Sequence, residues 1–529
     1  MKIFRAALWF ILCAAISFGG DSFGANFQHD LTALAQAENF TEKESAIREL
    51  SATYKGDQTL ALVLSQLTLG NLYKTTNNEV IYQENDRFLS VITGEKIEID
   101  ESEISKITVN NRLRSVIRSE LVFVNLASSD KNKRLAAAKE LLNSLEEKDI
   151  AVLNEAIAVE SASSVKAVLN EALAIFNAKT KTGDEQLAAI VTLGDYLSPQ
   201  TLQTLNMLNE DENHPYKAAI TTATKKIESA GSFYSVIETL FFGLSAGSIL
   251  LLAAMGLAIT FGVMKVINMA HGELIMLGAY TTYTIQQIMP NLIEYSVIIA
   301  IPIAFLVSAG VGILIERLVL RRLYSRPLEA LLATFGISLI LQQLVRTIYS
   351  PLNKEVKTPE WMSGSFEINS LLSLTYNRFY IIVFTLLVFA FALFLLKKTS
   401  LGLKVRALSQ NRSMAQAMGI KTSLVDALTF GIGSGLAGVA GVALSQLTNV
   451  GPNLGQAYIV DSFMVVVFGG VGNLWGTLIG AFTLGEINKI IEPLSGAVLA
   501  KVIILAFVIL FIQKRPRGLF PQKGRDVEE

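Results

Sequence analysis

The chain has 529 residues, 51% of them hydrophobic and 17% charged, with a net charge of −1 and a mean hydropathy of +0.43. That balance leaves no basic footprint for nucleic acid. Three scattered histidines and one cysteine leave no catalytic triad, metal site or cofactor site to assign, so no catalytic residue is expected in this chain.

The average hides two unlike halves. Up to about residue 230 the chain is polar and charged. From Phe233 to Ile512 apolar runs dominate, each near the ~20 residues that cross ~30 Å of hydrocarbon. At the start, Lys2 and Arg5 precede an apolar run from Ala6 to Phe18 and then small residues. This pattern is expected to be a signal peptide over 1–25, with a retained signal anchor as the alternative. Cys13 lies in it, so cleavage would leave no cysteine.

Residues 26–230 are expected to form an extracytoplasmic helical-repeat domain. RLAAAKELLNSL (134–145) resembles QLAAIVTLGDYL (186–197), 52 positions later, and the match continues at Ile150/Leu202 and Leu153/Leu205. Repeated helical pairs suggest a HEAT-like solenoid, although HEAT units run to ~40–47 residues; an ordinary helical bundle is the alternative. RFLSVITGEKIEI (87–99) alternates apolar and polar residues around Thr93-Gly94, which predicts a small β-hairpin insertion. No cluster with ligand spacing appears here, so binding or docking is the expected role.

The apolar half, 231–515, predicts a polytopic α-helical membrane domain of about eight to nine spans, followed by a cytoplasmic tail, 516–529. The spans are expected near 233–261, 264–288, 296–319, 329–349, 379–396, 426–447, 458–474, 475–492 and 497–513. The pair at 458–492 is short enough to be half-helices. An odd count after an exported N-terminus puts the C-terminus inside. Positive charge agrees, with Arg317, Arg321, Arg322 and Arg326 at one inner loop and Lys397, Lys398, Lys404, Arg406, Arg412 and Lys421 at the next. Gly433, Gly435 and Gly438 satisfy G-x-G-x-x-G. The dinucleotide reading is rejected, because that motif needs a soluble βαβ unit, whereas small residues in a membrane helix serve close packing.

The long inner loop, KKTSLGLKVRALSQNRSMAQAMGIKT (397–422), is basic and predicts a helix capped by Thr399 or Ser400, then a second helix stopped at Gly419. Such an element suits docking of a motor protein. The phosphate-cradling loop G-x-x-x-x-G-K-[ST] is missing, since no Gly-Lys dipeptide occurs. ATP hydrolysis is therefore expected of a partner.

Three blocks resemble one family. GLAITFGVMKVINMAHGELIMLGAY (256–280), GLKVRALSQNRSMAQAMGI (402–420) and FMVVVFGGVGNLWGTLIGA (463–481) are similar to the permease subunits of branched-chain amino acid ABC importers. The N-terminal extension and TFGISLILQQLVRTIYSPLNKEVKTPEWMSG (334–364) look like the family's urea-transporting branch. The resemblance implies a bacterial inner-membrane importer for urea with the N-terminal domain in the periplasm. Its partners would be a homologous second permease, two cytoplasmic ATPases and an extracytoplasmic urea-binding protein. It also implies that Gly402, Arg406, Ala407, Ala415 and Gly419 belong to the ATPase-coupling loop. A branched-chain amino acid permease and a membrane-anchored scaffold or sensor are the alternatives.

Polar groups at membrane depth are costly and mark pathways or polar packing. By that argument the candidates for a substrate path or gate are Asn268, His271, Glu273, Gln342, Gln343, Arg346 and Asp461. In a continuous helix Lys265, Asn268 and His271 would share one stripe. Gln342 and Arg346 share a face and Gln343 points about 100° away.

Overall fold

The computed structural model describes residues 27–520 apart from 38, 77, 85–86, 98, 100–102 and 325. The expected signal peptide and the end of the tail lie outside the described residues. The chain divides into two compact units after Ala230.

The first unit opens with three helices: α1 (27–36), α2 (Phe40–Thr53) and α3 (Gln58–Leu69). Five strands follow, β1 (Leu72–Thr75), β2 (Val80–Glu84), β3 (Arg87–Ser90), β4 (Lys96–Ile97) and β5 (Ile104–Lys106). They form one antiparallel sheet in the order β4-β3-β2-β1-β5. The hairpin expected at 87–99 is the β3–β4 pair, with Phe88 opposite Ile97. It is one edge of a larger sheet whose other strands show no clear alternation: β2 buries Val80, Ile81 and Tyr82 in succession. Leu60, Leu64 and Leu67 of α3 join Ile47 of α2 in the core beside this sheet.

Six helices come next: α4 (Asn111–Leu126), α5 (Lys131–Ser144), α6 (Ile150–Val159), α7 (Ser163–Thr180), α8 (Asp184–Leu193) and α9 (Pro199–Asn209). The similar segments are α5 and α8. Their matched residues Ala137/Ala189 and Leu141/Leu193 are all buried, as are Leu153 and Leu205, and all six lie in one core. The offset carries α5, α6 and α7 onto α8, α9 and the start of α10 (Lys217–Met264). The repeating stretch thus holds three helices and not the expected pair, and it does not carry the HEAT-like assignment. Between its turns, Glu171 of α7 is buried and accepts from the hydroxyls of Ser198 and Thr201 at the start of α9.

An ion pair ties α5 to the end of α6. Arg134 donates from Nε and Nη2 to the Glu160 carboxylate at 2.8 and 3.2 Å, and from Nη1 to the carbonyls of Ser128 and Ser129. The Arg134 hydrogen bond holds the Glu160 carboxyl below its ordinary value. A depressed carboxyl adds stability above its unfolded pKa, and that contribution is lost as pH falls through the folded value. Glu160→Gln is therefore expected to lower the first unfolding transition at pH 7, with the gap to the parent chain closing below the free-glutamate value of 4.5. Calorimetry of the full chain across that range checks it.

In the second unit, α10 leads into α11 (His271–Ile288), α12 (Ile293–Leu318), α13 (Pro327–Tyr349) and a β-hairpin of β6 (Ser365–Asn369) and β7 (Leu372–Thr375). There follow α14 (Tyr376–Lys398), α15 (Ser400–Gln410), α16 (Arg412–Ala417), α17 (Thr422–Ser445), α18 (Leu454–Gly469), α19 (Leu474–Ser495) and α20 (Ala497–Lys514). Among the described residues six helices are long and apolar enough to cross a membrane: α10, α12, α13, α14, α17 and α20. This is fewer than the expected eight to nine, although a helix occupies each expected span. The other three fall short for separate reasons. The second half of α11 carries Thr281, Thr282, Thr284, Gln286 and Gln287, α18 has 16 residues, and α19 carries Glu486, Lys489 and Glu492.

The core of this unit is α17, buried along most of its length between α11 and α12. Two close approaches set that packing. A Cβ on Gly278 of α11 would overlap the Gly438 carbonyl of α17, and a Cβ on Gly441 would overlap the Ile275 carbonyl. The helices meet backbone to backbone, as small residues in membrane helices permit.

Candidate functional site

The break between α10 and α11 places the first polar groups. Helix α10 ends at Met264, and residues 265–270 are not helical. Lys265 turns the chain with φ +54° and is exposed. Asn268 is buried, and its Oδ1 accepts from the Ala270 amide at 3.0 Å. Lys265, Asn268 and His271 therefore do not share the expected helical stripe, because the stretch that would align them is unwound. His271 starts α11, fully buried, with Nε2 2.9 Å from the Ala253 carbonyl. A carbonyl only accepts, so Nε2 carries the proton, and this imidazole ties the start of α11 to α10.

Glu273 lies two residues on and faces α13. Its Oε1 accepts from Ser338 Oγ at 2.9 Å and Gln342 Nε2 at 2.7 Å; its Oε2 is buried with no partner. One end of the same seam has the Met269 amide donating to Thr334 Oγ1 at 3.1 Å. Towards the other end the Tyr280 and Tyr349 rings lie 4.8 Å apart, and Thr284 Oγ1 is 2.7 Å from the Tyr349 hydroxyl. Thr334, Ser338, Gln342 and Arg346 recur every four residues, so one stripe of α13 supplies its side of the column. Arg346 is within electrostatic reach of Glu273 and donates to Asn453 at 2.8 Å. The apolar Met276 and Val345 pack with Tyr280 in a buried cluster on the same two helices, joined at its edge by Tyr349. The α11–α13 seam is thus a closed polar column running along a helix long and apolar enough to cross a membrane.

The structure brings Glu273, Gln342 and Arg346 to that seam, with Asn268 and His271 at its head. Gln343 is exposed and turned away from it. Asp461 of α18 pairs with Lys501 of α20 at 3.1 Å, away from the column. The sequence reading missed Thr284, Thr334, Ser338, Tyr280 and Tyr349, although the four-residue spacing on α13 was there to find.

The 399–421 segment folds as two short helices. Thr399 caps α15 through the Gly402 amide at 3.2 Å, Asn411 caps α16 through the Met414 amide at 2.9 Å, and Gly419 turns with φ +83°. Gly402 is buried against the end of α14, where a Cβ would overlap the Leu396 carbonyl. Arg406 is exposed and donates to that same carbonyl. Ala407 and Ala415 sit in a small core with Val405, Leu408 and Val425.

Four residues fasten this element to the bundle. Arg412 of α16 donates through both terminal nitrogens to Asp426 of α17, whose side chain is 0% exposed. The guanidinium also lies 5.0 Å over the Tyr324 ring. Tyr324 donates to Glu316 of α12 at 2.6 Å. Burial, then the Glu316 hydrogen bond, pushes the Tyr324 hydroxyl far above its ordinary value, so it remains a donor. The chain Arg412–Asp426 and Tyr324–Glu316 links the loop to α12 and α17 together.

Residues 239–512 match the family described as branched-chain amino acid transport system, permease component. The chain is 32% identical over 302 residues to the high-affinity branched-chain amino acid transport permease LivH of Salmonella typhimurium, covering 54% of this chain and 96% of that protein. It is 30% identical over 298 residues to BraD of Pseudomonas aeruginosa, with the same coverage of each chain. A probable LivH of Methanocaldococcus jannaschii is 28% identical over 283 residues, 51% of this chain and 88% of that protein. No solved structure matches.

Proposed function

The chain belongs to the family of branched-chain amino acid transport permease components, and from that premise we propose that it forms part of the translocation path of an ABC importer, lined by the α11–α13 seam. The observation that carries this is the column at Glu273, Ser338 and Gln342. A buried carboxylate with an unpaired oxygen in a membrane unit is costly unless it has work to do. Helix α13 packs on the unit mainly along α11, so its displacement would open the column without unpacking α17.

The column also bears on the solute. Glu273 suits an ammonium group, Arg346 a carboxylate, and Met276, Tyr280 and Val345 an apolar side chain between them. A branched-chain amino acid has all three features, whereas urea has no charge to match. The names of the relatives favour the amino acid as well, so this reading takes precedence over the urea reading of 334–364. The proposal includes a second permease, two ATPases docking at 399–421 from the cytoplasm, and a binding protein and the first unit on the other side of an inner membrane.

Uptake of radiolabelled leucine and urea in a deletion strain tests the solute. Loss of leucine uptake alone supports the proposal; loss of urea uptake alone overturns the amino acid and leaves the permease role intact. Within the complemented strain, Glu273→Ala is expected to lower uptake about tenfold, the worth of a charge-assisted hydrogen bond. Gln343→Ala, off the seam, is expected to leave it unchanged. Equal losses in both would remove the seam from the path.

A further inference from the structure

A cleft of about 600 Å³ opens beside the 399–421 segment. Its walls come from the ends of α10 and α14, from α15, and from the start of α19 with the chain at Leu519 and Phe520. Two cations line it, Lys397 and Arg406, and among the described residues no carboxylate does. Both cations are exposed. The remaining walls are mostly apolar, among them Ile259, Leu393 and Val405. Trp475, half exposed at 49%, stands at Lys397 with its ring 6.0 Å from Nζ. Phe520 is held there by a hydrogen bond from Asn473 Nδ2 to its carbonyl at 3.1 Å.

Each feature restricts the occupant. Helices α10 and α14 are both long and apolar enough to cross a membrane, and Lys397 and Lys398 end α14, which puts the cleft where hydrocarbon would give way to water. An indole at that level is typical of a membrane interface. The first amides of α19 are already satisfied by Asn473 Oδ1, so the positive character comes from the two side chains. Two cations above an apolar wall between helix ends, with no carboxylate beside them among the described residues, match an amphiphile with an anionic head.

We propose that this cleft binds one anionic phospholipid, its phosphate at the Lys397 and Arg406 end and the first part of its acyl chains along Ile259, Leu393 and Val405. Because α15 forms one wall, the lipid braces the 399–421 segment against α10 and α14. The site stands whichever solute the permease carries.

Native mass spectrometry of the full chain in detergent tests this, with phosphatidylglycerol and phosphatidylethanolamine added in parallel. One phosphatidylglycerol per chain is expected to survive gas-phase activation, with little phosphatidylethanolamine. Lys397→Gln is expected to cut its retention about fivefold, the worth of one cation at an anionic surface. Ser409→Trp, which fills the cleft and keeps both charges, is expected to expel it. Either variant alone suffices if the other fails to elute as a folded species. Equal retention of the two lipids overturns the proposal, as does unchanged retention in the variants. Loss of the lipid from the parent chain once ATPase is bound would also overturn it, by giving the cleft to a protein contact.

Discussion

Gly278→Val is expected to yield no folded, monodisperse protein. At this point the α11 and α17 backbones touch, and the added Cβ would fall on the Gly438 carbonyl. A flexible side chain could swing aside, but a carbonyl oxygen in a helix moves only with the helix. Overpacking a well-filled core costs about 1–3 kcal/mol where neighbours can adjust, and more where they cannot. Here α17 is also held on its far side, because Gly438 meets Ser308 and the Ala304 carbonyl of α12. Separating α17 from α11 would therefore drive it into α12. Gly278→Ala should already lower the melting temperature of the detergent-solubilised chain. Gly336 of α13 is the control, since a Cβ there meets nothing within 4 Å. Gly336→Ala is expected to be neutral or slightly stabilising, as alanine in a helix usually is. Fluorescence-detected size exclusion and thermal melting of the three variants check the order; a Gly278→Val chain that behaves like its parent would mean that the helices do not meet there.

These positions show what was legible in the sequence. The apolar runs marked where the helices of the second unit lie, because lipid-length hydrophobic stretches need no tertiary context to be read. They did not separate a helix that crosses from one that packs inside the bundle: α11, α18 and α19 have the length or the apolarity of a span but not both. The glycines of α17 were legible as close packing, but their partners were not, since Gly278 and Gly438 are far apart in sequence. The polar residues of 265–273 were legible as anomalous. Their arrangement was not, because the helix breaks at Lys265 and a stripe drawn through 265, 268 and 271 supposes that it continues. In α13 the spacing of Gln342 and Arg346 was read, but the hydroxyls of Thr334 and Ser338 on the same stripe passed as ordinary helix residues. In the first unit the sequence alternates around Thr93-Gly94, while β2 buries Val80, Ile81 and Tyr82 in succession and β1 and β5 are defined by their pairing.

Asp426 is the position where sequence reasoning was most blind and where the coupling proposal can be tested most sharply. A single acid near the start of an apolar helix looks like a residue at the membrane surface, yet its side chain is fully buried and its charge is met by Arg412. Removing Arg412 strands that charge. Breaking a buried pair costs about 3–5 kcal/mol, and the lower end applies because Arg412 is itself 42% exposed and screened by water. Arg412→Ala is therefore expected to lower the melting temperature sharply and to abolish ATP-dependent uptake. Asp426→Asn should do less harm, since the amide fills the same space without a stranded charge. The double variant should recover much of the stability lost by Arg412→Ala, because the buried group it leaves is neutral. Transport separates the two roles of the pair. A brace that only stabilises would let the double variant regain uptake in step with its melting temperature. A link that carries motion from α16 into α12 and α17 would leave uptake low while stability returns, because the amide no longer holds α16 to α17. The expected result is the second, read as ATP hydrolysis by the assembled complex continuing without solute movement; full recovery of uptake in the double variant would reduce Arg412 to a structural contact.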